Sequence, residues 1–260
     1  MKIDTILGPS EFVALPARDL SFTVSVVFDI LRATSTMITA LENGARAICP
    51  VREIAEAVAW RAREPEILLA GERDGLRILA AQTGSIDFDL GNSPREFTAG
   101  RVAGRTIVMT TTNGTRALAA CAHSSRVLPA AFLNLEATID RLVEIKPVAL
   151  LLVCAGTIEE PAYEDILAAG ATCDRLIARG MELDLSDSSA VAWQAFQSTG
   201  GDLFGAMRFS KNARRLLGQA ELEGDVPFCL RENVSKLAVE MRSGRVQTVP
   251  ENPSPAKVVE

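Results

Sequence analysis

The chain contains few of the residues on which common enzyme mechanisms depend. Its 260 residues include one histidine, His123, and five cysteines with no CxxC spacing. One histidine cannot build a histidine-rich zinc site. His123 lies beside two serines at a predicted helix end, which indicates a surface or capping position rather than a Ser-His-Asp triad. The cysteines sit mostly in apolar runs and are predicted to be small core residues in a reducing compartment.

Several nucleotide-binding and hydrolase motifs are also absent. The sequence has no GxGxxG, no GxxxxGK(S/T) and no GxSxG, which excludes the dinucleotide fingerprint, the P-loop and the nucleophile elbow. Neither Cys121 nor Cys154 has an arginine six positions later, so the C-x5-R pattern of cysteine phosphatases is missing. Asp29 is followed by two apolar residues, so no DxD motif follows the first predicted strand.

Charge and hydropathy exclude two further classes of protein. The formal net charge of −6 disfavours a general nucleic-acid-binding protein, which normally presents a basic face. The N-terminal segment lacks the apolar region of a signal peptide, and the longest apolar run, Val148–Ala155, is too short to cross a bilayer. We therefore predict a cytoplasmic protein that binds neither nucleic acid nor a membrane. A homodimer is compatible with a chain of this size, although no residue indicates one.

Strand-like and helix-like runs alternate over the first two-thirds of the chain. The predicted strands lie near Val24–Phe28, Arg46–Val51, Glu66–Ala70, Thr106–Thr110, Arg126–Ala131 and Val148–Cys154. The predicted helices lie near Thr34–Glu42, Ile54–Arg63, Thr115–Ala122, Glu136–Ile145 and Glu164–Ala178. This alternation predicts a single α/β domain over residues 1–260. Its expected architecture is three-layer α/β/α with a mostly parallel or mixed central sheet.

The last third of the chain carries weaker signals. Residues 187–219 are predicted to be helical, and their four basic residues are interpreted as a solvated helix face in preference to a site: Arg208, Lys211, Arg214 and Arg215. The tail, residues 251–260, holds two prolines and is predicted to be loosely structured.

A carboxylate stands at the end of the first predicted strand. The stretch VSVVFDILRATST, residues 24–36, runs from β-branched and apolar residues into Asp29, then Arg32 and three consecutive hydroxyl-bearing residues. A buried carboxylate needs a cation, a metal ion or strong donors nearby. Free backbone N–H groups and the positive end of a helix dipole lie at a turn of this kind. The layout therefore indicates an anion or metal site.

A second segment repeats this layout. The strand-like residues 105–111, RTIVMTT, lead into Thr112, Asn113, Gly114, Thr115 and Arg116, and then into a helical run. Arginine suits bidentate contact with phosphate or carboxylate. Two such turns favour a ligand with more than one anionic group, whereas the alternative is two ordinary capped helices. Because ligands bind at the carboxyl ends of strands in such sheets, one cleft could hold both turns and residues 155–157.

The irregular segment 72–97 is the third candidate region. Long loops of this kind in compact domains are often functional. Ser93 and Pro94 are predicted to begin a short helix. The segment also offers candidate ligands, although a turn or surface role is favoured for each one taken singly: Glu72, Arg73, Asp87, Asp89 and Asn92.

After these exclusions, the remaining candidate groups are those that act through oxygen atoms. Carboxylates, hydroxyls and backbone groups suit Mg²⁺, which prefers hard oxygen ligands and usually keeps several waters. Mg²⁺ beside arginines and helix N-termini is a common arrangement for phosphoryl transfer. The expected ligand is a small anionic molecule.

Four sequence blocks resemble the 2-phosphosulfolactate phosphatase (ComB) family. They are VFDILRATST (27–36), LAGERDG (69–75) with FDLGNSP (88–94), TIVMTTTNGTRAL (106–118), and VCAGT (153–157) with EDILAAGA (164–171). The segment GDVPFCL (224–230) also fits the ending of that family. The resemblance implies a ComB-like fold and a Mg²⁺-dependent acid phosphatase. Such an enzyme cleaves (R)-2-phospho-3-sulfolactate to 3-sulfolactate and phosphate, a step in coenzyme M biosynthesis.

The resemblance also suggests residue roles, which we state as hypotheses. Asp29 and Glu72 are the expected Mg²⁺ ligands, with Asp165 as an outside candidate, and Asp29 is alternatively the nucleophile or the base that activates water. Arg32, Arg73 and Arg116 are expected to hold anionic groups. The backbone from Thr112 through Gly114 to Thr115 is expected to cradle phosphate or sulfonate. Asn92 and Asn113 are expected to orient water or substrate oxygens.

Three alternatives stay open at this point. The chain could act on a related phosphorylated hydroxyacid, or pass the phosphoryl group to an acceptor other than water. It could also be a non-catalytic binding protein for phosphorylated or sulfonated small acids. Metal-dependent phosphate release separates the binding protein from the enzymes.

Overall fold

The computed structural model describes residues 1–250, so the predicted loose tail lies outside the described residues. Eleven strands form one sheet. They are β1 Lys2–Ile6, β2 Thr23–Phe28, β3 Ala47–Pro50, β4 Leu68–Arg73, β5 Leu76–Arg77, β6 Thr106–Thr110, β7 Arg126–Ala130, β8 Ala149–Cys154, β9 Asp184–Leu185, β10 Val239–Arg242 and β11 Arg245–Thr248.

Helices cover the sheet in a three-layer α/β/α arrangement, which confirms the predicted fold class. They are α1 Ala33–Glu42, α2 Ile54–Arg63, α3 Ala80–Thr83, α4 Ala99–Val102, α5 Gly114–Ala120, α6 Leu135–Ile145, α7 Tyr163–Ala178, α8 Asp187–Gln197, α9 Leu203–Ala206, α10 Lys211–Leu217 and α11 Asp225–Cys229. Short 3-10 helices occupy Pro9–Ala17, Pro94–Glu96, Phe132–Asn134 and Met207–Phe209.

The sheet is mixed and consists of two parallel groups joined by a hairpin. Its strand order is β5-β4-β6-β3-β11-β10-β7-β2-β8-β1-β9. Strands β4, β6 and β3 run parallel to one another, as do β7, β2, β8, β1 and β9. The hairpin β10–β11 pairs antiparallel with β7 on one side and with β3 on the other. Strand direction is therefore reversed between the two groups.

Strands of both groups lead into one shared cavity despite this reversal. The segments after β2 and β8 meet those after β4 and β6 at one cavity. The predicted common cleft is confirmed, although the sheet that forms it is not parallel throughout.

The predicted strands and helices of the first two-thirds are all present, within one to three residues of their expected ends. Gly44 follows α1 with a φ of 87°, as expected of a glycine that stops a helix. Residues 187–219 contain α8, α9 and α10. The sequence reading missed β1 and the hairpin β10–β11, whose strands are five and four residues long.

The core confirms two further expectations. All five cysteines are free and buried, and His123 is exposed. One apolar cluster surrounds the strands β1, β2, β7 and β8, and a smaller one lies between α2 and the strands β3, β4 and β6. Among the described residues, no helix has the length and apolar character needed to span a bilayer.

Candidate active site

A cavity of about 520 Å³ opens where the two strand groups meet. Its walls come from the loops after β2, β4, β6 and β8 and from α10. The lining residues are Asp29, Leu31, Arg32, Glu72, Asp74, Gly75, Asn92, Thr112, Asn113, Gly156, Thr157, Ile158, Glu159, Glu160, Lys211, Asn212 and Arg215. Five of these side chains are acidic and three are basic, so a polyanionic ligand would need an additional cation.

Asp29 lies directly after β2 with only 6% of its surface exposed. Its Oδ1 accepts the N–H of Ala33 at 3.0 Å, and its backbone N–H donates to the Thr34 hydroxyl at 3.0 Å. The pKa of Asp29 is raised to about 7, and the largest cause is desolvation by burial. The negative charges of Glu72 and Glu164 contribute to this rise, whereas the Ala33 N–H and Arg32 oppose it. Asp29 is therefore a carboxyl group poised to gain a proton or a cation.

The absence of a side chain at Gly114 makes room for the Asp29 carboxylate. A Cβ atom built on Gly114 would lie 2.5 Å from Asp29 Oδ2 and 2.6 Å from the Ala33 Cβ atom. Asp29 Oδ2 and the first turn of α5 are therefore in direct contact, which brings together the two turns singled out in the sequence. Gly114 does not line the cavity, and it allows the close approach between α5 and Asp29.

Replacing Gly114 by alanine should displace Asp29 and lower any catalytic activity of this site by roughly two orders of magnitude, since a misplacement of about 1 Å can cost 10²-fold. Gly100→Ala is the matched control, because nothing lies within 4 Å of a Cβ atom at Gly100. Steady-state kinetics on both variants checks this expectation. Equal activity of the two variants would show that the contact between α5 and Asp29 is irrelevant to turnover.

Glu72 is held by the tight turn between β4 and β5. Asp74 and Gly75 occupy this two-residue turn with φ values of 56° and 82°, as in a type I′ hairpin. Glu72 Oε2 accepts the Gly75 N–H at 2.7 Å, and Oε1 accepts the Thr112 N–H at 2.8 Å. The carboxylate thus links the hairpin to the loop after β6, and it lines the cavity with 8% of its surface exposed.

Arg32 lines the cavity while forming a buried ion pair. Its Nη1 donates to Asp225 Oδ2 at 2.7 Å, and its Nη2 donates to the Gly75 carbonyl at 2.7 Å. Asp225 Oδ1 also accepts from the Ser93 hydroxyl at 2.6 Å and from Arg95 Nε at 2.7 Å. Sequence reasoning missed Asp225, although the family-like GDVPFCL segment contained it.

Asn92 presents an unsatisfied oxygen within this region. Its Oδ1 is buried and has no hydrogen-bond partner among the described residues, and the residue lines the cavity. Its own carbonyl accepts the Thr36 hydroxyl at 2.9 Å, which fixes the backbone. Because buried polar atoms are normally paired, this oxygen points to a ligand or water at that position.

Asn113 and Asp165 hold the loop after β8 in place. Asn113 Nδ2 donates to the Ala155 and Ile158 carbonyls at 3.0 and 2.9 Å, and its Oδ1 accepts the Ile158 N–H at 3.0 Å. Asp165 does not line the cavity. Its Oδ1 accepts the Ile30 N–H at 2.8 Å, and its Oδ2 accepts the Gly156 N–H at 3.0 Å. Both side chains are committed to loop geometry.

Burial is also the largest influence on the pKa of Asp165. Desolvation raises the pKa of this carboxyl well above its ordinary value of 3.8, and the neighbouring Glu164 and Asp29 raise it further. Glu164 accepts the Ser210 hydroxyl at 2.6 Å and Asn212 Nδ2 at 3.1 Å, which fastens α7 to α10. The two acidic residues at the start of α7 therefore join elements, beyond any effect on the helix dipole.

Three other predicted site residues do not line the cavity. Arg73 donates to the Glu72 carbonyl at 2.7 Å and to the Thr110 hydroxyl at 3.1 Å. Arg116 forms an ion pair with the exposed Glu159 at 2.8 Å. The Thr115 hydroxyl donates to the Thr111 carbonyl at 3.0 Å. Thr112 does line the cavity, so the loop after β6 contributes to its wall.

The loop segment 72–97 largely behaves as expected. Ser93 precedes a 3-10 helix that begins at Pro94, although the Ser93 hydroxyl binds Asp225 instead of capping that helix. Asp87 accepts the Ala80 N–H at 2.6 Å, and Asp89 pairs with Arg61. Asp87 and Asp89 therefore have the turn and surface roles favoured for them.

Two of the four basic residues interpreted as a solvated helix face also line the cavity. The interpretation as a solvated helix face holds for Arg208 and Arg214, which are exposed and do not line the cavity. Lys211 and Arg215 are exposed as well, and they also line the cavity. No sequence motif marks these two residues, and only the packing of α10 brings them to the cavity.

The residues present fit a hard divalent cation. Asp29, Glu72 and the unpaired Asn92 Oδ1 are oxygen donors of the type that Mg²⁺ prefers. The described residues contain no group of three or more His, Cys, Asp or Glu side chains arranged to hold a metal ion. Mg²⁺ commonly binds through one or two carboxylates together with waters and substrate phosphate. Two carboxylates are therefore sufficient.

Comparison with known proteins identifies a single family. The profile described as 2-phosphosulpholactate phosphatase matches residues 13–244. A protein of Thermotoga petrophila named probable 2-phosphosulfolactate phosphatase is 37% identical over 234 residues, covering 90% of this chain and 96% of that protein. Proteins of the same name are 36% identical in Caldicellulosiruptor saccharolyticus, covering 96% and 100%, and 38% identical in Deinococcus radiodurans, covering 82% and 85%.

Proposed function

Because the chain belongs to the 2-phosphosulfolactate phosphatase family and is a phosphoric monoester hydrolase of that type, we propose that its substrate is (R)-2-phospho-3-sulfolactate. The products would be 3-sulfolactate and phosphate, and the reaction would require Mg²⁺. A role in coenzyme M biosynthesis follows if that substrate is the physiological one. The proposed setting is the cytoplasm, and a homodimer stays a prediction.

The observation that carries this proposal is the cavity beside Asp29. It brings a buried carboxylate, a second carboxylate, an unpaired amide oxygen and Arg32 to one place. A phosphate ester bearing both a carboxylate and a sulfonate is strongly anionic. Because acidic side chains outnumber basic ones along this cavity, a bound divalent cation would offset the repulsion of such a substrate.

Asp29, Glu72 and Asn92 are the residues that would hold Mg²⁺. The bound ion would neutralise charge on the phosphate oxygens and make phosphorus more open to attack. Glu72 is kept in place by the Gly75 and Thr112 N–H groups. Arg32, anchored by Asp225, can direct its remaining N–H groups towards phosphate oxygens.

Asp29 has two chemical roles open to it. With Oδ1 bound to the Ala33 N–H, the second oxygen can take a proton from an attacking water, or it can itself attack phosphorus. In either case a new O–P bond forms, the ester O–P bond breaks, and the released alkoxide of the product takes up a proton. On the second route a water must then attack the phosphoryl group on Asp29, which breaks the Asp29 O–P bond, releases phosphate and restores the carboxylate. Trapping or excluding an aspartyl-phosphate separates the two routes.

A substrate panel tests the proposed activity. Phosphate release would be measured from racemic 2-phospho-3-sulfolactate, 2-phospholactate and phosphoglycolate at a fixed Mg²⁺ concentration. The proposal predicts a clear preference for the sulfonated substrate. Turnover without that preference would assign the enzyme to a related phosphorylated hydroxyacid, and no release from any substrate would favour a binding protein.

Removing the metal should abolish turnover reversibly. Dialysis against EDTA is expected to stop phosphate release, and added Mg²⁺ is expected to restore it, because the acidic cavity repels a polyanion without a cation. Ca²⁺ at the same concentration is the matched control, because it carries the same charge but lacks the octahedral preference of Mg²⁺. Unchanged turnover in EDTA would contradict the assigned metal requirement.

A further inference from the structure

The three cations that line the cavity differ in how they are neutralised. Arg32 is paired with Asp225 at 2.7 Å, and Lys211 is paired with Glu160 at 2.7 Å. Arg215 forms no ion pair within residues 1–250 and contacts only neutral acceptors. Arg215 is therefore the cavity-lining cation whose charge is left for a ligand.

Arg215 is held in place by oxygens of two different elements. Its Nη1 donates to the Asp74 carbonyl at 3.2 Å, and its Nη2 donates to Asn212 Oδ1 at 3.1 Å. The Asn212 amide is oriented in turn, because its Nδ2 donates to the Leu31 carbonyl at 2.8 Å and to Glu164 Oε1 at 3.1 Å. A guanidinium has five N–H donors, so three of them remain available.

The hairpin turn at Gly75 places Arg215 close to Arg32. A Cβ atom on Gly75 would lie 3.3 Å from Arg215 Nη1, and the Gly75 carbonyl accepts Arg32 Nη2 at 2.7 Å. Two guanidinium groups thus approach the same small residue. This arrangement suits a ligand whose two anionic groups are a few bonds apart.

We propose that Arg215 binds a second acidic group of the substrate, a carboxylate or sulfonate carried beside the phosphate ester. This inference rests on the proposed phosphatase function and names the residue that selects acidic phosphate esters over neutral ones. Arg215 contributes recognition, and the groups around Asp29 contribute the chemistry. The planar fork of arginine matches the paired oxygens of a carboxylate or sulfonate.

Selectivity kinetics tests the proposal. Arg215→Ala is expected to lower kcat/KM for 2-phospho-3-sulfolactate by about 10- to 100-fold, the range for a lost hydrogen bond to a charged group, mainly through KM. For glycerol 2-phosphate, which has the same branching and no second acid, the change should stay below about 3-fold because that contact is absent. Arg215→Lys should restore part of the loss.

Two further substrates identify the acidic group that Arg215 binds, and a neighbouring arginine provides the control. The phosphate ester of 2-hydroxyethanesulfonate carries only the sulfonate, and 2-phospholactate carries only the carboxylate. The ester whose kcat/KM falls more in Arg215→Ala therefore identifies the group that Arg215 binds. Arg214→Ala, one position away and outside the cavity lining, should leave all four rates unchanged. Equal losses on acidic and neutral esters, or no loss on either, would overturn the proposal.

A binding measurement separates this proposal from the proposed function. Calorimetry with 3-sulfolactate needs no turnover, and Arg215→Ala should weaken its binding by about 10-fold or more. If the wild-type protein releases no phosphate from any ester, the proposed function fails while this binding test still stands. Undiminished binding in the variant, or no binding to the wild-type protein, would refute the role of Arg215.

Discussion

Replacing Asp29 by asparagine is expected to reduce phosphate release by roughly 10²- to 10⁴-fold, the range for loss of a group that transfers a proton or attacks. Asparagine keeps the oxygen that accepts the Ala33 N–H, so the loop after β2 should keep its shape. The loss should appear in kcat, because Asp29 is the proposed base or nucleophile. Turnover of the variant near the wild-type rate with Mg²⁺ would remove Asp29 from the chemistry.

The same substitution should not destabilise the metal-free protein at alkaline pH. The folded pKa of Asp29 is about 7, above its ordinary value of 3.8. The folded state therefore binds this proton more tightly than the unfolded state does. The resulting stabilisation is fully present below the unfolded pKa and is lost as pH rises through the folded pKa.

Urea unfolding in EDTA measures this linkage. Between pH 4 and 8, the free energy of unfolding of the wild-type protein should fall by up to a few kcal/mol relative to Asp29→Asn, at about 1.36 kcal/mol per pKa unit. The variant has no group that titrates at this position, so it provides the baseline. Parallel pH profiles for the two proteins would contradict a raised pKa at Asp29.

Removing Asp225 should cause the largest loss of stability. Asp225→Ala leaves Arg32, whose side chain is 3% exposed, without its carboxylate and also unpairs Ser93 and Arg95. Breaking a buried pair in this way typically costs about 3–5 kcal/mol. Activity should fall as well, because Arg32 loses the anchor that aims it into the cavity. Urea unfolding at pH 7 and steady-state kinetics measure the two effects.

Two control variants separate the effect of burial on stability from the effect of removing a charge. Glu144→Gln removes a surface partner of Arg141 and should cost less than about 1 kcal/mol. Arg95→Ala removes the half-exposed partner of Asp225 while the pair with Arg32 remains, so its cost should be of that same order, about 1 kcal/mol or less. A loss for Asp225→Ala no larger than that for Glu144→Gln would show that the buried pair does not hold the site together.

The sequence predicted those parts of the site that local patterns encode. Asp29 ends a buried apolar strand, and Thr112–Gly114 follow another, so their place at strand ends could be read from short stretches. Glu72 and Asn92 came from a loop whose length and glycine content set it apart. All but Gly114 line the cavity, and Gly114 packs against Asp29 beside it.

The remaining site residues depend on contacts between distant parts of the chain. Asp225 meets Arg32 across 193 positions, and Asn212 reaches the Leu31 carbonyl across 181. No local periodicity reports such pairs, and the same holds for Arg215 on α10. Arg73 and Arg116 have the expected residue type, but backbone and surface partners hold them away from the cavity.

The hairpin β10–β11 shows why the mixed sheet was only partly foreseen. Its strands are four residues long and carry charged side chains, so their alternation is brief. The turn residues Ser243 and Gly244 have φ values of 48° and 73°, the conformation that a two-residue hairpin requires. That signal was present in the sequence, whereas the insertion of the hairpin between β7 and β3 is a tertiary event.

We propose that this cavity hydrolyses a sulfonated phosphate ester with the help of Mg²⁺. The most direct test measures phosphate release from 2-phospho-3-sulfolactate by metal-depleted protein as Mg²⁺ is added back. Turnover should be absent in EDTA and should recover saturably as Mg²⁺ is added. Full turnover in EDTA, or no turnover at any Mg²⁺ concentration, would contradict this proposal.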